Sequence, residues 1–325
     1  MRRALPVLAA AIAAGCAVAA DDTLAQAWPA KPVKLVVGFA PAGAADYVAR
    51  TLSEPLAKAL GQPVLIENRA GAGSSIAAEY VAKAVPDGYT FLIASPSSIS
   101  VNPAVNPKLG YSARDLAAVT QVTSSPLVVA VNTGLGIRSI GELIAAAKKS
   151  PGKFNYATSG NGSAPHLSTI QFIRLAHVDI VHVPFKGGGP AVQSVVAGDT
   201  QLTFGTPPSV LPLVQAGRLK GLAVTSRERS PLVPDLPGMR EAGLPDYDMS
   251  FWYGFFVPAG TPQAAMKRIF DATQGVLQLP QVKAALAREG TEAVGSKSIE
   301  EFTAFVAEDA KFWIKLVKES KLTVD

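Results

Sequence analysis

Residues 36–50 read Val36-Val37-Gly38-Phe39-Ala40-Pro41-Ala42-Gly43-Ala44-Ala45-Asp46-Tyr47-Val48-Ala49-Arg50. An apolar run stops at a turn of small residues, and a helical pattern starts at once. Lys34 to Phe39 predicts a buried strand. Asp46 to Leu60 predicts a helix, with Val48, Leu52, Leu56 and Leu60 spaced by fours. Gly61 stands where a helix C-cap glycine belongs.

The same unit recurs outward from this stretch. Pro63 to Asn68 predicts a strand, Gly71-Ala72-Gly73-Ser74-Ser75 a turn, Ile76 to Val85 a helix, and Thr90 to Ser95 a strand. Further on, Lys153 to Thr158 predicts a strand, Ser159 to Pro165 a turn, and a helix begins near His166. Ile180 to Phe185, Lys186 to Pro190 and Ala191 to Ala197 repeat the pattern, and strands follow at Gln201 to Phe204 and Gly221 to Thr225. Alternating strands and helices argue for parallel α/β units.

Two longer extended runs break this rhythm, Val119 to Asn132 with a Ser-Ser-Pro interruption and Ser250 to Val257. Each is long enough to pass from one lobe to another. The expectation is domain 1 from residues 28–124 and 252–325, and domain 2 from residues 125–251. The C-terminus predicts an amphipathic helix whose stripe of Ile299, Phe302, Phe305, Val306, Phe312, Trp313, Leu316 and Val317 packs on a core.

The chain has 325 residues, 48% hydrophobic and 17% charged, with a net charge of +5. It has room for two lobes, and its mild charge shows no basic patch, which argues against nucleic-acid binding. Met1-Arg2-Arg3, the apolar run to Ala20 and the small-x-small Ala25-Gln26-Ala27 predict an export signal over residues 1–27. The competing reading is a lipoprotein anchored at Cys16, because Ala13-Ala14-Gly15-Cys16 resembles a lipobox, although alanine is a poor residue at its first position. Either way the mature protein is periplasmic. Cys16 is the only cysteine, which excludes an intramolecular disulfide.

In open α/β sheets, ligands bind beyond the carboxyl ends of the strands. Four small-residue turns there bring helix N-termini, with free N–H groups and positive dipole ends, within reach of an anion. Gly71-Ala72-Gly73 followed by Ile76 fails as a dinucleotide fingerprint, and no phosphate-binding GxxxxGK[ST] is present. His166, His177 and His182 are the only histidines, and no metal-ligand spacing links them, so no metal or cofactor is expected. Ser163 and His166 suggest a hydrolase as the rival class, although no GxSxG elbow exists. Both more simply cap a helix and donate to a ligand. Asp46 at a helix start is expected to cap N–H groups and order its loop. His182, between Val181 and Val183, is expected to pack or bond structurally.

The motifs KPVKLVVGFAPAGAADYVAR, VLIENRAGAGSSIAAEYVAKAVPDGYTFLIAS, YATSGNGSAPHLSTIQF, VHVPFKGGGPAVQSVVAGD and FWYGFFVPAGTP recur in one order. The chain resembles the Bug family, the TctC-like extracytoplasmic solute receptors of tripartite tricarboxylate transporters. The resemblance spans nearly everything after the signal. It implies a two-lobe Venus-flytrap fold of the type II-like periplasmic binding protein class, hinged on two crossing strands. It implies a non-enzymatic, monomeric receptor that delivers a small carboxylate to a membrane permease or a sensor kinase. The expected ligand-binding residues are Phe39, Ala40, Ala42, Gly43, Ala45, Asp46, Ser95, Thr158, Asn161, Gly162, Ser163, Ala164, His166, Phe185, Lys186, Gly205 and Thr206, with no catalytic or metal residue. Two departures stand out. The Pro-Gly-Gly of the first loop is Pro41-Ala42-Gly43 here, which leaves one backbone position less free. Gly205-Thr206 stands where many relatives carry Asp or Asn, which disfavours a solute with an ammonium group.

Overall fold

The computed structural model describes residues 28–106 and 108–320; the expected signal segment and Cys16 lie outside them. The first sheet is built from β1 (Val33–Val37), β2 (Val64–Asn68), β3 (Thr90–Ala94), β4 (Leu116–Pro126), β10 (Ser250–Pro258) and β11 (Glu292–Ala293), in the order β11-β4-β10-β3-β1-β2. The second is built from β5 (Val128–Asn132), β6 (Asn155–Thr158), β7 (Val181–Pro184), β8 (Leu202–Gly205) and β9 (Leu219–Val224), in the order β7-β6-β8-β5-β9. β1 runs parallel to β2 and β3, and β6 runs parallel to β7 and β8. Strands covered on both faces need continuous apolar sequence, and β1 is buried along nearly its whole length.

The helices are α1 (Ala44–Leu60), α2 (Ser75–Ala82), α3 (Asn102–Val105), α4 (Ile140–Lys149), α5 (Ala164–Ala176), α6 (Gly188–Ala197), α7 (Pro207–Gln215), α8 (Gln263–Gln278), α9 (Pro280–Arg288) and α10 (Ile299–Ser320). In α1 the fours-spaced Val48, Leu52, Leu56 and Leu60 are all buried. Gly61 closes that helix in the left-handed conformation at φ 78°, its N–H donating to Ala57 O at 2.9 Å.

The extended run Val119 to Asn132 is two strands in two sheets. β4 ends at Pro126, Leu127 donates its N–H to Thr225 Oγ1 at 2.7 Å, and β5 begins one residue later in the second sheet. β10 returns antiparallel beside β4, pairing from Ser250↔Pro126 to Pro258↔Leu116. The two lobes are therefore joined by two adjacent crossings, as their sequence predicts.

Some boundaries differ from expectation for plain reasons. α6 begins at Gly188, because the first helical turn has no intrahelical acceptor for its N–H groups and so tolerates Gly189 and Pro190. In α10, Phe302, Trp313, Leu316 and Val317 are buried, but Phe305 and Phe312 remain 38% and 46% exposed. The stripe is wider than the face that packs, so its expected burial is only partial. Among the described residues no helix is long and apolar enough to cross a membrane.

Candidate functional site

Between the lobes lies a cavity at the carboxyl ends of the strands. It is lined by the first turns of α1 (Gly43, Ala44, Ala45), α5 (Pro165), α6 (Gly188) and α7 (Thr206 at its N-cap), together with Phe39, Ser159, Ala191, Val192, Thr203, Gly205 and Tyr253. Four helix N-termini from both lobes thus meet at one place, and no charged side chain lines it. First-turn N–H groups have no intrahelical partner and sit at the positive end of the helix dipole. α1, α5 and α6 offer such groups, whereas α7 opens on Pro207 and Pro208, which carry none, and its Ser209 and Val210 N–H groups both donate to Thr206 O. Such a place can hold an anion without a salt bridge. Phe39, Ala44, Ala45, Ala191 and Val192 make the remaining wall apolar.

The loop before α1 is held from outside the cavity. Asp46 Oδ2 accepts from Ala42 N–H at 3.1 Å and from Arg50 Nε at 2.8 Å. Its Oδ1 accepts from Asn68 Nδ2 at 2.9 Å, and the same amide donates to Phe39 O at 3.1 Å. Burial alone would raise the Asp46 pKa; hydrogen bonds from Arg50, Asn68 and Ala42 and the Arg50 charge outweigh it and hold the carboxyl below its usual value. Asp46 therefore orders the loop, as expected of it, and is not among the residues that line the cavity. Ala42 adopts a left-handed backbone, φ 64°, which is the conformation that glycine would take without strain.

The loop between β6 and α5 is braced by two histidines. Thr158 Oγ1 lies 2.6 Å from His182 Nε2 and accepts from Gly160 N–H at 3.2 Å. His166 Nδ1 accepts from Gly162 N–H at 3.1 Å. The two imidazoles stack with centroids 3.8 Å apart and planes 10° apart, and Tyr156 stacks on His182 at 5.0 Å. Burial, with the neighbouring His182 adding to it, lowers the His166 pKa to about 3; burial lowers that of His182 to about 4. Both rings are neutral at physiological pH. His166 thus accepts from its own loop through Nδ1, which leaves the proton of the neutral ring on Nε2. Ser163 is the N-cap of α5 but its side chain makes no capping bond, and its buried Oγ has no partner among the described residues. The Ser163–His166 hydrogen bond that a hydrolase needs is not formed.

The lobes touch directly beside the cavity. Ala40 N–H donates to Lys186 O at 3.1 Å. A Cβ on Gly73 would lie 2.3 Å from Asn161 O, and one on Gly162 would lie 2.2 Å from Asn102 Oδ1. The Gly71–Ser75 turn therefore meets the opposite lobe and does not line the cavity at the helix N-termini. It borders a second, outer cavity with Asn102, Asn161, Phe185 and Lys186. Of the expected residues, Phe39, Gly43, Ala45, Gly205 and Thr206 line the cavity at the helix N-termini. Ala42, Asp46, Thr158, Gly162 and His166 shape its loops, and Ala164 opens α5. Ser95 follows β3 with a buried, unpartnered Oγ. Tyr253 and Asn102 are additions from the structure. Asn102 Nδ2 donates to Ala72 O at 3.0 Å and Ser75 Oγ at 2.7 Å, so it fixes the second turn. A lone Asn after a serine-rich run carries no signal of that in sequence.

Comparison with known proteins agrees with this geometry. The family model for the tripartite tricarboxylate transporter family receptor matches residues 48–322. Protein BugT of Bordetella pertussis is 34% identical over 322 residues, covering 98% of both chains. The structure of R. palustris Rpa4515 with adipate superposes at a TM-score of 0.87, with 33% identity over 91% of this chain and 99% of that one. MatC from Rhodopseudomonas palustris with bound malate gives a TM-score of 0.83 and 31% identity over 89% of this chain and 100% of that one. The chain belongs to the tripartite tricarboxylate transporter family of receptors.

Proposed function

We propose that the protein is a periplasmic receptor that captures a small carboxylate in the cleft between its lobes and delivers it, as a monomer, to a membrane permease or a sensor kinase. One observation carries the reading. Four helix N-termini converge on a cavity with no charged side chain, and three of them, those of α1, α5 and α6, offer an anion fixed N–H dipoles and ask for no counter-ion. Adipate and malate in the two structural neighbours are both carboxylates.

The solute lacks an ammonium group. No acid lines the cavity, and the Asp46 carboxylate is committed to Arg50, Asn68 and Ala42. An ammonium buried there would be unpaired, which is costly. The ligand residues expected from the sequence act in two sets, those that line the cavity and those that hold its loops. The lobes, residues 28–124 with 252–325 and residues 125–251, close about Ser124–Pro126 and Ser250–Tyr253.

Calorimetry with succinate, adipate and benzoate against aspartate and glutamate tests this. The reading predicts binding among the amine-free acids. Tight binding of aspartate or glutamate, with none of the amine-free acids bound, contradicts it. Ser163→Ala is expected to weaken binding and to abolish no turnover.

A further inference from the structure

Buried tyrosine hydroxyls normally find a hydrogen-bond partner. The chain has seven tyrosines. Five obey the rule: Tyr47, Tyr111 and Tyr247 donate to backbone carbonyls at 2.7 Å, and Tyr80 and Tyr89 accept from Lys34 Nζ and Ala30 N–H. Tyr156 and Tyr253 make no hydrogen bond through their hydroxyls among the described residues. Tyr156 is stacked on His182 in the second lobe. Of these two, only Tyr253 lines the cavity at the helix N-termini.

Its position in the chain is as specific as its free hydroxyl. Tyr253 lies on β10, the return crossing between the lobes, and the pairing of β10 with β4 shifts register between Tyr253 and Gly254. Breaks in register, β-bulges among them, re-aim side chains and gather next to functional sites. The ring is 6% exposed and rests edge-on against Phe251, centroids 4.9 Å apart and planes at 87°. Burial raises the phenol pKa, so the hydroxyl keeps its proton. One residue beyond the Gly254↔Ala94 pair, Ser95 Oγ is buried and unpartnered.

We propose that Tyr253 is a specificity-determining residue: its hydroxyl donates to a second oxygen acceptor of the solute, in addition to the carboxylate held at the helix N-termini, and so selects diacids over monoacids. This rests on the receptor reading above. Because the residue stands on a crossing strand, the contact also ties solute recognition to the segment about which the lobes move.

The test pairs protein and ligand deletions. Wild type and Tyr253→Phe are titrated with succinate and adipate and with their monoacid counterparts butyrate and hexanoate. Tyr253→Phe is expected to lose about tenfold on a bound diacid and little on its monoacid, since a hydrogen bond to a carboxylate is removed only in the first case. Its thermal midpoint is expected to stay at or above that of wild type, because the lost hydroxyl has no partner within the protein. Equal affinity of both proteins for the diacids overturns the proposal and leaves the receptor reading intact. Equal losses on diacid and monoacid, or a lowered midpoint, assign Tyr253 a structural role and overturn it too. Failure of wild type to bind any of the four acids overturns the proposal together with its selection of diacids; the receptor reading then stands or falls on the wider acid panel above.

Discussion

Ala40 and Lys186 are joined across the cleft by a backbone hydrogen bond, N–H to O at 3.1 Å. One belongs to the loop after β1 and the other to the loop after β7, so the bond exists only when the lobes are together. Gly187 lies against it, where a Cβ would come within 3.1 Å of Ala40 N. At this point the lobes meet backbone to backbone, while nearby the Asn102 side chain lies against Gly162 of the opposite lobe.

Gly73→Ala tests that closure. Its Cβ would strike Asn161 O at 2.3 Å, whereas Gly136, with a similar positive φ of 69° against 58°, has open space around it. Both substitutions strain a left-handed backbone by about 1–2 kcal/mol. Only Gly73→Ala is expected to prop the lobes apart. Small-angle scattering with saturating solute should show a larger radius of gyration and calorimetry a weaker affinity for Gly73→Ala, with Gly136→Ala like wild type in both.

Ala42→Gly should stabilise the protein. Ala42 holds φ 64° at the exposed tip of the first loop, a conformation that costs a non-glycine residue about 1 kcal/mol or more. The expected outcome is a raised thermal midpoint with affinity nearly unchanged. A lowered midpoint would show that the alanine methyl has a packing role.

Asp46→Asn should cost stability by about 1–3 kcal/mol at neutral pH, because a buried carboxylate with three donors becomes an amide that cannot accept from all of them. The folded carboxyl titrates below its usual 3.8. Its contribution is therefore full above that value and is lost as the pH falls through the lowered one. Chemical denaturation should find the wild-type advantage over Asp46→Asn intact at pH 5 and shrinking below pH 4.

The stacked histidines predict a second acid sensitivity at higher pH. His166 and His182 titrate at about 3 and about 4 when folded, against an ordinary 6.5. Their contribution is full above pH 6.5 and falls as the pH drops toward those values, since the unfolded chain takes up the protons first. Wild type should be less stable at pH 5 than at pH 8. His182→Gln should narrow that difference; an unchanged difference would contradict the neutral stack.

The units whose apolar spacing matches one element are the ones legible in sequence, such as β1, α1 with its Gly61 cap, and the two crossing strands. α7 is harder to read because Pro207, Pro208 and Pro212 argue against a helix, yet two of them fall in the first turn where no N–H is needed. α8 shows its helical spacing only through Ala265, Met266, Ile269, Ala272, Val276 and Leu277, diluted by polar residues. Within the site, the loops were legible because small residues mark close approach. Which loops line the cavity and which make the contact between lobes depends on how the two sheets face each other. That relation leaves no local trace at Gly73, Asn102 or Tyr253.

Native mass spectrometry of freshly purified protein tests the central claim most directly, since a carboxylate held by helix N-termini in the cleft between the lobes should survive purification. The account predicts a small added mass that is lost on denaturation and identifies as a carboxylic acid without an amine. Recovery of an amino acid, an amine or a nucleotide from the cleft would contradict it.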